Sequence, residues 1–219
     1  MIKNIIFDFD GVLVDSEILA AKAFCKYLNE RNLKFSEKEF SIYAGKKTVE
    51  VIKELSNKYN IPNQNEFFND IINIVNDIYS NNLKAVTGAR RFLEKANLNY
   101  FIGSNSVKER ILVGLKKVKF ENFFTPDKVY SFDMVEKAKP EPDIYLSAMY
   151  SNNLNAEETI IIEDSAIGVL AGVKAGVKVV GLTAGGHWYP DRSKSELKEA
   201  GAHLLIDDYD LLLNEIKNL

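Results

Sequence analysis

The 219-residue chain has a single cysteine, Cys25. No intramolecular disulfide is possible, which fits a reducing compartment. No apolar run is long enough to span a bilayer. The opening stretch MIKNIIFDFD reaches two acids too early for a signal peptide. A cytoplasmic protein with no membrane partner is therefore expected. An excess of one charge is also missing. The 28 basic and 31 acidic side chains leave a net charge of −3. That balance gives no reason to expect a nucleic acid or an anionic membrane as a partner. Internal repeats and low-complexity linkers are absent, and the length suits one large domain or one domain with an insert. A monomer is expected. Cys25 lies in the helical pattern SEILAAKAFCKYLNE, where a buried packing role is expected.

Short apolar runs at 4–7, 100–103, 128–130, 159–162, 177–182 and 203–206 predict buried strands. From residue 100 onward helical patterns separate them, as in SVKERILVGLKKV, DIYLSAMYSNN and SAIGVLAGVKAG. This alternation predicts an α/β fold: a Rossmann-like parallel sheet with helices on both faces. One region breaks it. Between Ser16 and about Lys84 only helical periodicity is found, punctuated by Gly45 and Pro62. The expected organisation is a discontinuous core, 1–15 plus 85–219, and an inserted all-helical cap, 16–84.

Asp8 and Asp10 follow the first strand, one residue apart. On an extended backbone such a pair shares one side, and its repulsion is about 2–3 kcal/mol at an effective dielectric near 20. The other predicted strand ends show what could offset it. The second ends in Ser104-Asn105-Ser106 and the fourth in Glu163-Asp164-Ser165. After the third comes KAKPEPD, in which Lys139 precedes Pro140. A residue before proline is pushed out of the helical region, so Lys139 can reach back over the strand ends. Ligands of open parallel sheets bind at this edge. Four carboxylates with little else suit a hard cation, Mg²⁺ first. A hydroxyl and an ammonium beside it suit phosphate oxygens. The constellation points to phosphoryl chemistry.

These segments resemble, in order, the four motifs of the haloacid dehalogenase-like hydrolase superfamily. DFDGVLVDS is similar to the first, GSNS to the second, KAKPEPDIY to the third with Tyr145 in place of the usual Phe, and EDSAIGVLAGVKAG to the fourth. The helical insert resembles the subgroup of β-phosphoglucomutase and the sugar-phosphate phosphatases. The resemblance implies a phosphatase acting on a small phosphorylated metabolite. It implies Asp8 as nucleophile, forming an aspartyl-phosphate, and Asp10 as the acid and base. Asp8, the Asp10 carbonyl and Asp164 are implied as Mg²⁺ ligands with help from Glu163. Ser104, Asn105 and Lys139 are implied to bind the phosphoryl group, and Gly11 to let the backbone turn sharply towards it.

The alternatives are a phosphosugar mutase and a non-enzymatic phospho-acceptor. In β-phosphoglucomutase a histidine of the first cap helix supports proton control; Ala20 stands at the matching position. Phospho-acceptor receiver domains lack the insert and the EDS segment. Asp15 is expected to cap the first cap helix. In the cap, Lys46 and Lys47 of the segment Gly45-Lys46-Lys47-Thr48 are candidates for reaching the substrate. His187, in the glycine-rich loop TAGGHWYP, is a candidate proton carrier, and His203 is read as structural.

Overall fold

The computed structural model describes residues 1–43, 46–190 and 192–219; Gly45 of the expected cap loop lies outside them. Among the described residues are six strands: β1 (Asn4–Phe7), β2 (Asn99–Ser104), β3 (Val129–Ser131), β4 (Thr159–Glu163), β5 (Lys178–Leu182) and β6 (Leu204–Ile206). The helices are α1 (Glu17–Asn29), α2 (Glu37–Phe40), α3 (Thr48–Tyr59), α4 (Gln64–Asn82), α5 (Ala89–Ala96), α6 (Lys108–Val118), α7 (Asp143–Ser151), α8 (Ala166–Lys174), α9 (Ser195–Glu199) and α10 (Tyr209–Glu215). All six strands were expected, with ends shifted by a residue or so.

The sheet is wholly parallel with order β3-β2-β1-β4-β5-β6. Every residue of β1 and β4 is buried, as a strand covered on both faces requires. Ile5, Phe7, Ile102 and Ile162 pack on one face with Phe92, Leu115 and Phe124. Ile6, Phe101 and Ile161 pack on the other with Tyr145 and Val169. A separate cluster, including Phe24, Phe40, Val51, Leu55, Phe67 and Ile71, holds α1–α4 together. Asn63 caps α4 by accepting the Glu66 N–H at 3.1 Å. Cys25 is buried in this helical cluster, as expected.

The helical segment leaves and rejoins the sheet through a paired stem. Asp15 N–H donates to Lys84 O at 2.9 Å and Val86 N–H to Leu13 O at 3.1 Å. The regular sheet resumes only at β2, after α5; Val86 belongs to the stem rather than to a core strand. Asp15 does not cap α1. Ser16 occupies the N-cap position, and Asp15 Oδ1 instead accepts the Gly186 N–H at 2.9 Å. This bond ties the stem to the loop after β5.

Candidate active site

The strand order reverses between β1 and β4, the position where an open sheet leaves a crevice at its carboxyl edge. Phe7 lies beside Ile102 and Ile162 in register. The residues just beyond these strands therefore meet at one level. Asp8 N–H continues the ladder to Ile162 O at 2.9 Å, which fixes the Asp8 backbone beside the end of β4.

Lys139 is the centre of the core side. Its Nζ donates to Asp8 Oδ1 and Glu163 Oε1, both at 2.6 Å, and to Gly103 O at 2.7 Å. All three of its donor positions are filled. Burial opposes the ammonium charge, but Asp8 and Glu163 hold its pKa above the usual lysine value. Burial pushes the Asp8 carboxyl upward, opposed by Lys139 and reinforced by Glu163 and Asp164. Glu163 is fully enclosed. Oε1 also accepts from the Tyr145 hydroxyl at 2.7 Å, and Oε2 accepts from Asp164 N–H and the Ser165 hydroxyl, both at 3.1 Å. A Cβ at Gly168 would collide with this carboxylate. Tyr145, the departure from the usual Phe, thus supplies a hydroxyl to Glu163.

The Asn105 side chain is bonded to the Lys139 peptide. Its Oδ1 accepts Lys139 N–H at 3.0 Å and its Nδ2 donates to Lys139 O at 3.3 Å. The amide clasps the peptide that aims Lys139, and Asn105 lines the cleft beside Ser104. Ser104 is buried at the cleft floor, and its Oγ accepts the Ser106 N–H at 3.1 Å.

Asp10 has its own cation. Arg110 Nη2 donates to Asp10 Oδ1 at 3.0 Å. The Ser16 hydroxyl donates to Oδ1 and the Ser106 hydroxyl to Oδ2, each at 2.5 Å. The repulsion posed by two adjacent acids is therefore offset by two separate cations, Lys139 and Arg110. Arg110 also sits 5.1 Å from the Tyr79 ring centroid. Tyr79 comes from α4 and lies against Gly114 of α6, where a Cβ would meet its hydroxyl. The sequence reading missed Arg110, Ser16, Ser106 and Tyr145 as site residues. Arg110 lies in the first turn of α6, close behind the polar end of β2, and that proximity in sequence was the signal available.

One oxygen from each of Asp8, Glu163 and Asp164 falls within a 4.8 Å cluster. Burial pushes the Asp164 carboxyl upward, and Glu163 adds to that. Gly11, at φ +80°, lies against it; a Cβ there would collide with Asp164 Oδ2. His187 is also buried, with Nε2 2.9 Å from Asp164 Oδ2 but without hydrogen-bond geometry. Burial lowers its pKa to about 4, so the ring is neutral near pH 7. Glu17, in the first turn of α1, faces the same region. Burial raises its carboxyl to about 7, with His187 opposing.

The cleft above these residues has a volume of ≈ 450 Å³ and is lined by both layers, within the range of small-molecule sites. The cap contributes Glu17, Ala20, Lys46, Lys47, Val49, Val75 and Asn76 among others. Lys46 Nζ is committed to Glu54 at 2.7 Å, whereas Lys47 is exposed at the rim.

The family profile of the haloacid dehalogenase-like hydrolases matches residues 5–182, and the chain belongs to this family. It is 27% identical over 191 residues to the 6-phosphogluconate phosphatase of Escherichia coli K12, covering 86% of each chain. It is 27% identical over 215 residues to the phosphorylated carbohydrates phosphatase of Thermotoga maritima, covering 96% of each. Its structure is similar to that of a HAD family hydrolase from Deinococcus radiodurans R1 with bound phosphate and sodium. The TM-score is 0.84 at 27% identity, over 99% of this chain and 96% of that one. The expected fold and family are borne out, as is an enzyme of the phosphoric monoester hydrolase class. No helix among the described residues is long and apolar enough to cross a membrane.

Proposed function

We propose that the protein is a Mg²⁺-dependent phosphatase that hydrolyses a small phosphomonoester through an aspartyl-phosphate on Asp8. The substrate is the phosphate of a sugar, sugar acid or polyol. The core, 1–15 and 85–219, carries the chemistry, and the cap, 16–84, meets the leaving group. The observation that carries this reading is Lys139, which joins Asp8 and Glu163 at 2.6 Å each at the floor of the cleft. An ammonium so placed opposes the upward push of burial on the Asp8 carboxyl and favours the carboxylate that a nucleophile requires. It also brings positive charge to where phosphoryl oxygens arrive.

The oxygen-only cluster of Asp8, Glu163 and Asp164 fits a hard divalent cation. Asp8, Asp164 and the Asp10 carbonyl would hold the ion. Glu163, whose oxygens are taken by Lys139, Tyr145 and Ser165, supports that set. Bound there, Mg²⁺ supplies a Lewis acid for a phosphoryl oxygen. The Ser104 hydroxyl binds a further oxygen and the Lys139 charge attracts the group, its N–H now held by Asp8 passing to a phosphoryl oxygen as Asp8 attacks phosphorus and the leaving oxygen departs. Asp10 donates a proton to that oxygen, then takes one from the water that hydrolyses the aspartyl-phosphate. Ser16, Ser106 and Arg110 hold its carboxylate for this work. Ala20 lines the cleft where the mutase reading needs a histidine, which favours the phosphatase.

The test is phosphate release from a panel of sugar, sugar-acid and polyol phosphates, with Mg²⁺ and with chelator. Turnover that needs the metal and disappears in Asp8→Asn is expected. Full activity in Asp8→Asn overturns the nucleophile. Interconversion of sugar phosphate isomers without net phosphate release would establish the mutase instead.

A further inference from the structure

Glu17 stands out among the cleft residues because nothing pairs with it. It lines the cleft together with Asp10, Asp164 and Arg110. No hydrogen bond or ion pair is formed by its carboxylate among the described residues, while Asp8, Asp10, Glu163 and Asp164 each have a polar or charged neighbour in contact. The groups that act on it are His187, whose ring is neutral near pH 7, Asp164 and Asp10, which repel it, and Arg110, which is already bonded to Asp10. A carboxylate left this way inside a cleft that receives a phosphate dianion is unfavourable by itself. Hydrogen-bond donors brought by the ligand would remove that penalty.

The rest of the leaving-group side narrows the chemistry. Arg110 is committed to Asp10 and Lys46 to Glu54, and of the cap-side cations lining the cleft only Lys47, exposed at the rim, has no salt bridge among the described residues. Ala20 and Val75 add apolar surface to the same cleft, suited to the C–H face of a carbon chain. We propose that Glu17 selects the leaving group: its carboxylate accepts hydrogen bonds from the hydroxyls of a neutral polyol or sugar and disfavours leaving groups that carry a carboxylate. This assignment rests on the phosphatase reading above and narrows its substrate class.

The experiment compares kcat and KM of the full-length wild type, Glu17→Gln and Glu17→Ala with Mg²⁺. The substrates are sorbitol 6-phosphate and other polyol and sugar phosphates, 6-phosphogluconate as the sugar acid, and p-nitrophenyl phosphate as a leaving group with neither feature. The wild type should favour the polyol and sugar class over the sugar acid. Glu17→Ala should lower kcat/KM for the preferred polyol or sugar phosphate about 10–100-fold, mainly through KM, as loss of a hydrogen bond to a charged group predicts. Its fall on p-nitrophenyl phosphate should be at least about 5-fold smaller, and its discrimination against 6-phosphogluconate should shrink. Glu17→Gln keeps an acceptor and should lie between the two. A uniform fall on all substrates, no fall on the polyol and sugar class, or a wild type that prefers the sugar acid overturns the assignment. A wild type that releases phosphate from nothing overturns the phosphatase reading itself.

Discussion

At the core side of the cleft, Lys139 is 5% exposed and bonded to three oxygens at 2.6–2.7 Å. Across the cleft, Glu17 has no bonded partner, and Lys47 reaches the rim without a salt bridge among the described residues. The contrast separates two tasks. Groups that must meet a phosphoryl group of constant shape are locked beforehand, which removes reorganisation from the reaction. Groups that must choose among leaving groups are left unsatisfied until one arrives.

The largest effect should come from breaking the locked side. Lys139→Met leaves Asp8 and Glu163 buried without their cation. Activity should fall about 10³-fold, and unfolding by denaturant should show about 3–5 kcal/mol of lost stability. That loss should be smaller at pH 5 than at pH 8, because burial pushes the Asp8 carboxyl upward and its protonation removes one of the unpaired charges. Equal loss at both pH values would mean that Lys139 matters only for packing.

Arg110 comes next. Arg110→Ala should lower kcat about 10²-fold by freeing the Asp10 carboxylate, with Arg110→Lys intermediate because it keeps charge but loses the planar fork. A rise in KM alone would place Arg110 on the substrate rather than on Asp10.

Much of the locked side was legible in the sequence, for a physical reason. β1 and β4 are buried on both faces and read as apolar runs, so the polar residues ending them stood out as Asp8 and Glu163-Asp164. Lys139 was legible through Pro140. What escaped depends on contacts between distant segments. Arg110 reaches Asp10 across 100 residues of chain, and Tyr79 reaches Gly114 from the cap. Asn105 was legible as a strand-end residue, but its bonds to the Lys139 peptide were not. The single turn of α2 and the short α5 carry too few residues to show a period.

His187 gives a smaller effect with a defined sign. Its folded pKa, about 4, lies below the ordinary histidine value. Above pH 6.5 both folded and unfolded forms are neutral and the group contributes no pH dependence. As pH falls towards 4 the unfolded chain takes up a proton that the buried ring refuses, so stability is lost. Between pH 7.5 and 5 this loss is about 2 kcal/mol. Relative to the wild type, His187→Gln should therefore gain about 2 kcal/mol over that interval in denaturant titrations. A difference that does not change with pH would show that the ring takes up its proton normally. The smallest effect belongs to the half-exposed Lys46–Glu54 pair on the open side. Lys46→Ala should change stability by about 0–1 kcal/mol. Turnover should change less than about 3-fold, because Lys46 is committed to Glu54 and not to the ligand.

The division of labour rests on Asp8 bonding to phosphorus, and this is tested most directly by trapping. Wild-type enzyme is mixed with a hydrolysed phosphomonoester and Mg²⁺, quenched in acid during turnover, and digested for mass spectrometry. The account predicts a phosphoryl group on the Asp8 side chain, absent with chelator and absent in Asp8→Asn. Continuing turnover with Asp8 unmodified, or a phosphoryl group carried by another residue, would contradict it.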